Sequence, residues 1–275
     1  MTALQTTDLA RELLAAHAGG VIVPATPSSR DPGFDMAAAQ HVEREISRLR
    51  KAEGRSTVGR KVGFANKAMW RILKLDTLAW AHMYDDTVTY ASNNRATFAL
   101  EGRIAPRIEP EIVFKLRAPM AGRSADAAAI LGAVEWLALG FEINDCVFPN
   151  WEFQPADFVA ALGLHLALVI GEPRPIAPDA VPVLAEQLQK FKLTLSRNGE
   201  AIDEGSGKAS LRSPALCLGE LAGAAARQPD AEPLAAGEIV STGTLTTPQA
   251  VAAGEQWRAD VEGLDLPALT LRFDR

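Results

Sequence analysis

Apolar positions near the start of the chain recur at helical spacing. Leu9, Leu13 and Leu14 share one face of a segment spanning residues 7–18, and Gly19-Gly20 ends it. "GVIVPATPSSRDPGF" follows as a Pro/Ser-rich connector. "MAAAQHVEREISRLRKAEG" predicts a second amphipathic helix. Val42, Ile46 and Leu49 line one side, and Gly54 lies just past the end. His41, Glu43 and Glu45 read as the solvated face of that helix.

Beyond residue 55 the period shortens towards two. "VGRKVGFA" predicts a strand and "NKAMWRILK" a short helix, before "TVTYA", "TFALEGRI" and "EPEIVFKLR" as further strands. "SADAAAILGAVEWLALG" reads as a helix with Ser124 as its N-cap, and "FEINDCV" as the strand after it. Asn198-Gly199 marks the turn of a hairpin in "FKLTLSRNGEAIDEG". "SPALCLGELAGAAA" is helical, and "GEIVSTGTL", "QWRADVEGL" and "ALTLRF" close the chain as strands. Strands and helices do not alternate regularly. The expectation is therefore an α+β fold with a mixed, mainly antiparallel β core and flanking helices, not a doubly wound sheet. The division expected is a helical N-terminal segment, residues 1–55, and a β-rich body, residues 56–275.

Composition narrows the function classes. The chain has 275 residues, 48% of them hydrophobic, which is ample for a large core. A net charge of −6, with no run of Lys or Arg and only 6% aromatic residues, argues against a nucleic-acid partner. The longest apolar stretch, "AALGLHLALVIG", contains His165 and is too short to span a bilayer, so no membrane role is expected. "MTALQTTDLARELL" lacks the basic-then-apolar design of a secretory signal. Cys146 and Cys217 are far apart and read as reduced core thiols, which points to a cytoplasmic protein.

The chemistry is concentrated in "RIEPEIVFKL", residues 107–116. On a strand, Glu109 and Glu111 project to the same face. Two carboxylates that close repel, so either the face is wet or a cation lies between them. Glu142, in "LGFEIND", lies directly after the helix that follows this strand, and a strand–helix–strand path can bring it beside the pair. Three carboxylates without Cys or His nearby make a hard oxygen site suited to Mg²⁺ or Mn²⁺. The plain alternative is a solvated edge strand, which Pro110 also fits.

"VGRKVGF", "PRIEPEI", "LGFEIND" and "STGTLT…VAAGE" together resemble, in order and spacing, the fumarylacetoacetate hydrolase superfamily. The branch resembled is that of the 2-hydroxypenta-2,4-dienoate hydratases and 4-oxalocrotonate decarboxylases. The resemblance implies a fumarylacetoacetate-hydrolase-like β-roll. It implies Glu109, Glu111 and Glu142 as ligands of Mg²⁺ or Mn²⁺, and Lys61 as an active-site lysine. It also implies Thr242 and Gly243 as substrate-carboxylate donors, and a homo-oligomer. The expected activity is addition of water to a 2-hydroxy-2,4-dienoate, giving a 4-hydroxy-2-oxo acid. The alternatives are decarboxylation of 2-oxo-3-hexenedioate, C–C hydrolysis of an acylpyruvate, or a non-catalytic metal-stabilised paralogue.

Two segments depart from the resemblance. Ala79 falls where the branch has an acid that moves protons, and "AALG" at 160–163 replaces a "DNAS"-like segment. His82 and Asp86 are then the expected replacements beside Lys61, because histidine is poised to exchange protons near neutral pH. His165 is the other histidine that could handle the proton, although in an apolar run it reads more readily as a satisfied core histidine. The substrate's tail is left open: Arg55, Arg60, Arg71 and Arg107 are the cations that could meet a second carboxylate.

Overall fold

A computed structural model describes residues 2–228 and 232–275. The helices are α1 (Ala3–Gly19), α2 (Pro27–Arg30), α3 (Met36–Ala52), α4 (Lys67–Leu73), α5 (Ala127–Gly132), α6 (Pro155–Ala160), α7 (Val181–Lys190) and α8 (Pro214–Ala226). The early strands are β1 (Thr57–Gly63), β2 (Ala79–Tyr84), β3 (Val88–Tyr90), β4 (Arg95–Ala99), β5 (Arg107–Leu116), β6 (Val134–Asn144) and β7 (His165–Ile170). The later ones are β8 (Arg174–Pro175), β9 (Lys192–Arg197), β10 (Glu200–Ser206), β11 (Ile239–Ser241), β12 (Gln249–Ala250), β13 (Gln256–Glu262) and β14 (Leu269–Asp274).

Among the described residues the strands form two sheets. The larger runs β2-β1-β11-β5-β6-β7-β3, with β12 paired to β5 and β8 to β6; the smaller runs β10-β9-β13-β14-β4. Only β1–β11, β3–β7 and β4–β14 pair in parallel, so the core is mixed and mainly antiparallel, as the irregular succession of elements predicts. Ile108, Ile112 and Phe114 of β5 meet Leu193, Trp257 and Leu271 of the smaller sheet in one core, which α5, α7 and α8 close. A second core joins Leu13 of α1 and Val42 and Ile46 of α3 to Phe158 of α6 and Ala79 of β2.

The local chemistry of most ends follows the sequence. Gly20 takes φ +59° where α1 stops, and a Cβ there would lie 1.8 Å from the Gly102 carbonyl oxygen. Asn198 and Gly199 both have positive φ in the β9–β10 hairpin. The segment at 124–144 differs from expectation. Asp126, not Ser124, caps α5 by accepting from the Ala128 and Ala129 amides, and the helix ends at Gly132. "VEWLALG" belongs to the eleven-residue strand β6 instead, where burial on both faces makes its apolar run continuous rather than alternating. Glu43 also departs from its reading as solvated. It is 5% exposed and reaches His82 across the α3–β2 junction.

Candidate active site

Antiparallel register builds the centre of the site. Glu109 on β5 lies opposite Glu142 on β6, and Glu111 opposite Gly140, so three carboxylates share one face. One oxygen from each lies within 4.8 Å of the others. Glycine at 140 belongs to this crowding, since a Cβ would sit 2.5 Å from a Val113 methyl. Glu111 and Glu142 are fully buried, and Glu109 is half-buried and lines a cleft of about 780 Å³.

Each carboxylate has a distinct surrounding. Glu111 Oε2 accepts from Ser241 Oγ at 2.6 Å and from the Gly243 amide at 2.7 Å, while its Oε1 is buried with no protein partner. Glu142 Oε2 lies 3.1 Å from Lys61 Nζ and accepts from Asn144 Nδ2 at 3.3 Å; its Oε1 is 2.8 Å from His165 Nδ1. Burial drives the Glu111 carboxyl well above its ordinary value, and the charges of Glu142 and Glu109 add to the shift. Burial, helped by Glu142, lifts Glu109 to about 7 against the opposing pull of Lys61 and Arg107. Burial also acts to raise Glu142, but Lys61 and His165 outweigh it and hold that carboxyl below its usual range.

These observations fit a hard dication. Three hard oxygen ligands converge, one of their buried oxygens lacks any donor, and a buried polar atom without a partner costs about 1–3 kcal/mol.

Lys61 lies on the cleft floor, 2% exposed. Its Nζ donates to the Gly163 carbonyl at 2.9 Å and to Asn144 Oδ1 at 3.1 Å, and lies 4.8 Å from the centroid of the Phe158 ring. The "AALG" segment thus supports the lysine. Gly163 takes φ +62°, and a Cβ there would meet the Lys61 Cδ at 2.8 Å. Apolar spacing alone does not reveal the role of His165. A shift in the β6–β7 register between Ile143 and Asn144 sets His165 opposite Asn144 and turns its ring towards Glu142. Its other nitrogen lies 3.0 Å from Thr87 Oγ1, so it is both a satisfied buried histidine and part of this site.

Other sequence-expected residues lie differently. In the β1–β2 ladder Lys61 pairs with Ala81 and Arg60 with His82, so strand alternation sends His82 to the face opposite Lys61. There His82 Nδ1 is 2.6 Å from Glu43. Asp86 pairs with Arg50 and Arg55, and neither His82 nor Asp86 lines the cleft. The Thr242 hydroxyl donates to the Ile112 carbonyl at 2.7 Å, and the Gly243 amide is taken by Glu111, so both secure the fold around the carboxylates. Ala79 is buried opposite Gly63 and brings no proton-carrying group. Asn144 and Ser241 are the site residues that sequence reasoning missed, and for His165 it gave no sign of the contact with Glu142. Only Asn144 carried a usable signal, two residues beyond Glu142 on the same strand face.

A buried carboxylate cluster at the strand ends of a two-sheet α+β fold defines the class, and comparison with known proteins supplies the family. Residues 80–271 match the family described as fumarylacetoacetate (FAA) hydrolase C-terminal, and the chain belongs to it. It is 28% identical over 233 residues to a 2-hydroxyhexa-2,4-dienoate hydratase of Comamonas testosteroni, covering 85% of each chain. It is 27% identical to a 2-keto-4-pentenoate hydratase of Burkholderia vietnamiensis, covering 94% of each. Among solved structures, 4-oxalocrotonate decarboxylase from Pseudomonas putida G7, complexed with magnesium and adipate, shares the fold. The TM-score is 0.89 at 24% identity, over 99% of this chain and 98% of that one.

Proposed function

We propose that this protein is a metal-dependent lyase that adds water to a 2-hydroxy-2,4-dienoate, giving a 4-hydroxy-2-oxo acid. The observation carrying the proposal is the convergence of Glu109, Glu111 and Glu142, one with an orphaned buried oxygen, beside a cleft that also holds Lys61. The hydratase relatives support the reaction type. Glu109, Glu111 and Glu142 would hold Mg²⁺ or Mn²⁺. When bound, the ion supplies Lewis acidity to the carboxylate and C2 oxygen of a 2-oxo acid.

In the overall reaction C5 gains a proton, C4 gains the hydroxyl of water, C3 gains a proton and the C2 hydroxyl becomes a ketone. A proton-transfer group must therefore face the substrate carbons. Among the described residues, the ionisable side chains lining the cleft are Lys61, Arg107, Glu109, Asp203 and Glu204. Arg107 does not release its proton, Glu109 belongs to the carboxylate set, and Asp203 is tied to the Thr247 amide. Glu204 is exposed to solvent. Lys61, held by Gly163, Asn144 and Glu142, is then the group that moves the proton. Asn144 and His165 act as positioning residues: Asn144 bridges Lys61 to Glu142, and His165 fixes the outer oxygen of Glu142.

Decarboxylation is the second reading, supported by a relative of that activity, a 4-oxalocrotonate decarboxylase of a Pseudomonas species at 26% identity. The test follows the ultraviolet absorbance of dienoates mixed with protein and Mg²⁺, with CO₂ measured alongside. Consumption without CO₂ is the expected result. CO₂ release would transfer the protein to the decarboxylases. Metal binding with every dienoate untouched would favour a non-catalytic paralogue. We further read the chain as a cytoplasmic homo-oligomer. Two buried, unpaired thiols support a reducing compartment, and no helix among the described residues is long and apolar enough to cross a membrane.

A further inference from the structure

The cleft is unevenly lined. One part of its lining is aromatic: Phe64 and Phe158 meet edge to face with centroids 5.0 Å apart, Phe153 stacks on Phe158 at 6.3 Å, and the partly exposed Met69 lines the cleft with them. Asp203 and Glu204 also line the cleft and give it negative charge. Among the described residues only Lys61 and Arg107 bring cations to the cleft.

Both cations belong to the carboxylate end. Lys61 is bound to Glu142, Asn144 and Gly163. Arg107 is two residues before Glu109 on β5 and so projects from the same face as the triad. Its guanidinium lies 4.1 Å from the centroid of the Trp151 ring and makes no ion pair among the described residues. A stacked guanidinium with free donors beside the carboxylates is a receptor for the carboxylate of a 2-oxo acid gripped there. A second carboxylate at the far end of the substrate would find aromatic rings and the carboxylates of Asp203 and Glu204, with no cation left to pair it.

We propose that the cleft selects substrates with an uncharged, apolar tail, seated on Phe64, Met69, Phe153 and Phe158, while Arg107 receives the C1 carboxylate. The proposal rests on the chelating site described above. It adds the chemical class of the tail, and it disfavours dicarboxylic substrates.

Two unreactive six-carbon acids test it: 2-oxohexanoate, which ends in a methyl group, and 2-oxohexanedioate, which ends in a carboxylate. Each is titrated calorimetrically into the Mg²⁺-loaded protein. The monoacid is expected to bind at least about 10-fold more tightly, the lower end of the discrimination set by a small change in an apolar pocket. Equal affinities, or tighter binding of the diacid, would overturn the proposal. Binding of neither acid would overturn it together with the chelate it rests on. The expected ratio without consumption of any dienoate would uphold the tail assignment and remove the hydratase reading alone. Met69→Arg, at a position 39% exposed, places a cation on the aromatic wall with little risk to folding. It should move the affinity ratio about 10-fold towards the diacid, and an unchanged ratio would show that the tail does not lie against this wall.

Discussion

Lys61 and His82 illustrate how little separates a site residue from a bystander. Both lie on adjacent strands of one sheet, yet the pleat sends Lys61 to the carboxylates and His82 to Glu43. Lys61→Ala should therefore lower kcat by about 10²-fold or more while Mg²⁺ affinity changes little. Parent-like turnover in single-turnover kinetics would make the lysine structural. His82→Ala should leave the shape of the pH–rate profile unchanged. A lost limb in that profile would return the histidine to the mechanism. Thr242→Val removes a buried donor to Ile112. Denaturant unfolding should show a loss of about 1–3 kcal/mol with KM unaltered, because the hydroxyl holds the fold together rather than the substrate. The carboxylates themselves were legible from spacing, since Glu-x-Glu on any strand shares a face. The donors that surround them were not, because Ser241 comes from a strand 130 residues away and His165 is turned in by a register shift that no local pattern shows.

At the scale of elements, β5 and β6 place the triad by direct pairing, and the register shift in β7 adds His165. The helix α6 and the turn after it then press on β1. Phe158 packs so tightly over Gly63 that a Cβ at that glycine would approach the ring to 2.3 Å. Gly63→Ala should cost about 1–3 kcal/mol by overpacking and should raise KM, since the displaced ring is part of the cleft wall. A variant with unchanged stability and KM would show that the ring yields freely. Element boundaries were least legible where burial erased periodicity. "VEWLALG" offers no alternation to distinguish strand from helix, and only its pairing with β5 and β8 decides the matter.

The whole molecule concentrates negative charge in its interior, which ties stability to pH and to metal. In the metal-free protein burial lifts the Glu109 carboxyl to about 7, and Glu111 is raised too. Between the ordinary carboxyl value near 4.5 and about 7, the folded state holds protons that the unfolded chain has released. Metal-free stability should therefore fall as pH rises through that window, seen as a declining Tm in calorimetry. Buried His17, lowered to about 4, acts in the opposite sense up to about 6.5, so the decisive comparison is with Glu109→Gln, and an identical Tm slope in that variant would contradict this protonation. Added Mg²⁺ should raise Tm more at pH 7.5 than at pH 5, because the ion competes with those protons. At 100 times its Kd the ion should contribute about 2.7 kcal/mol. By itself the sequence determined the helices at the N-terminus, the mainly antiparallel class, the hairpin at Asn198-Gly199 and the pair of carboxylates on one strand face. All of these follow from periodicity and turn chemistry within a few residues. Which side chains meet the carboxylates, which face His82 takes, and how aromatic and acidic residues come to line one cleft were decided only by tertiary structure. Those contacts depend on register and crossover between residues 23 to 132 positions apart, and no local pattern encodes such distances.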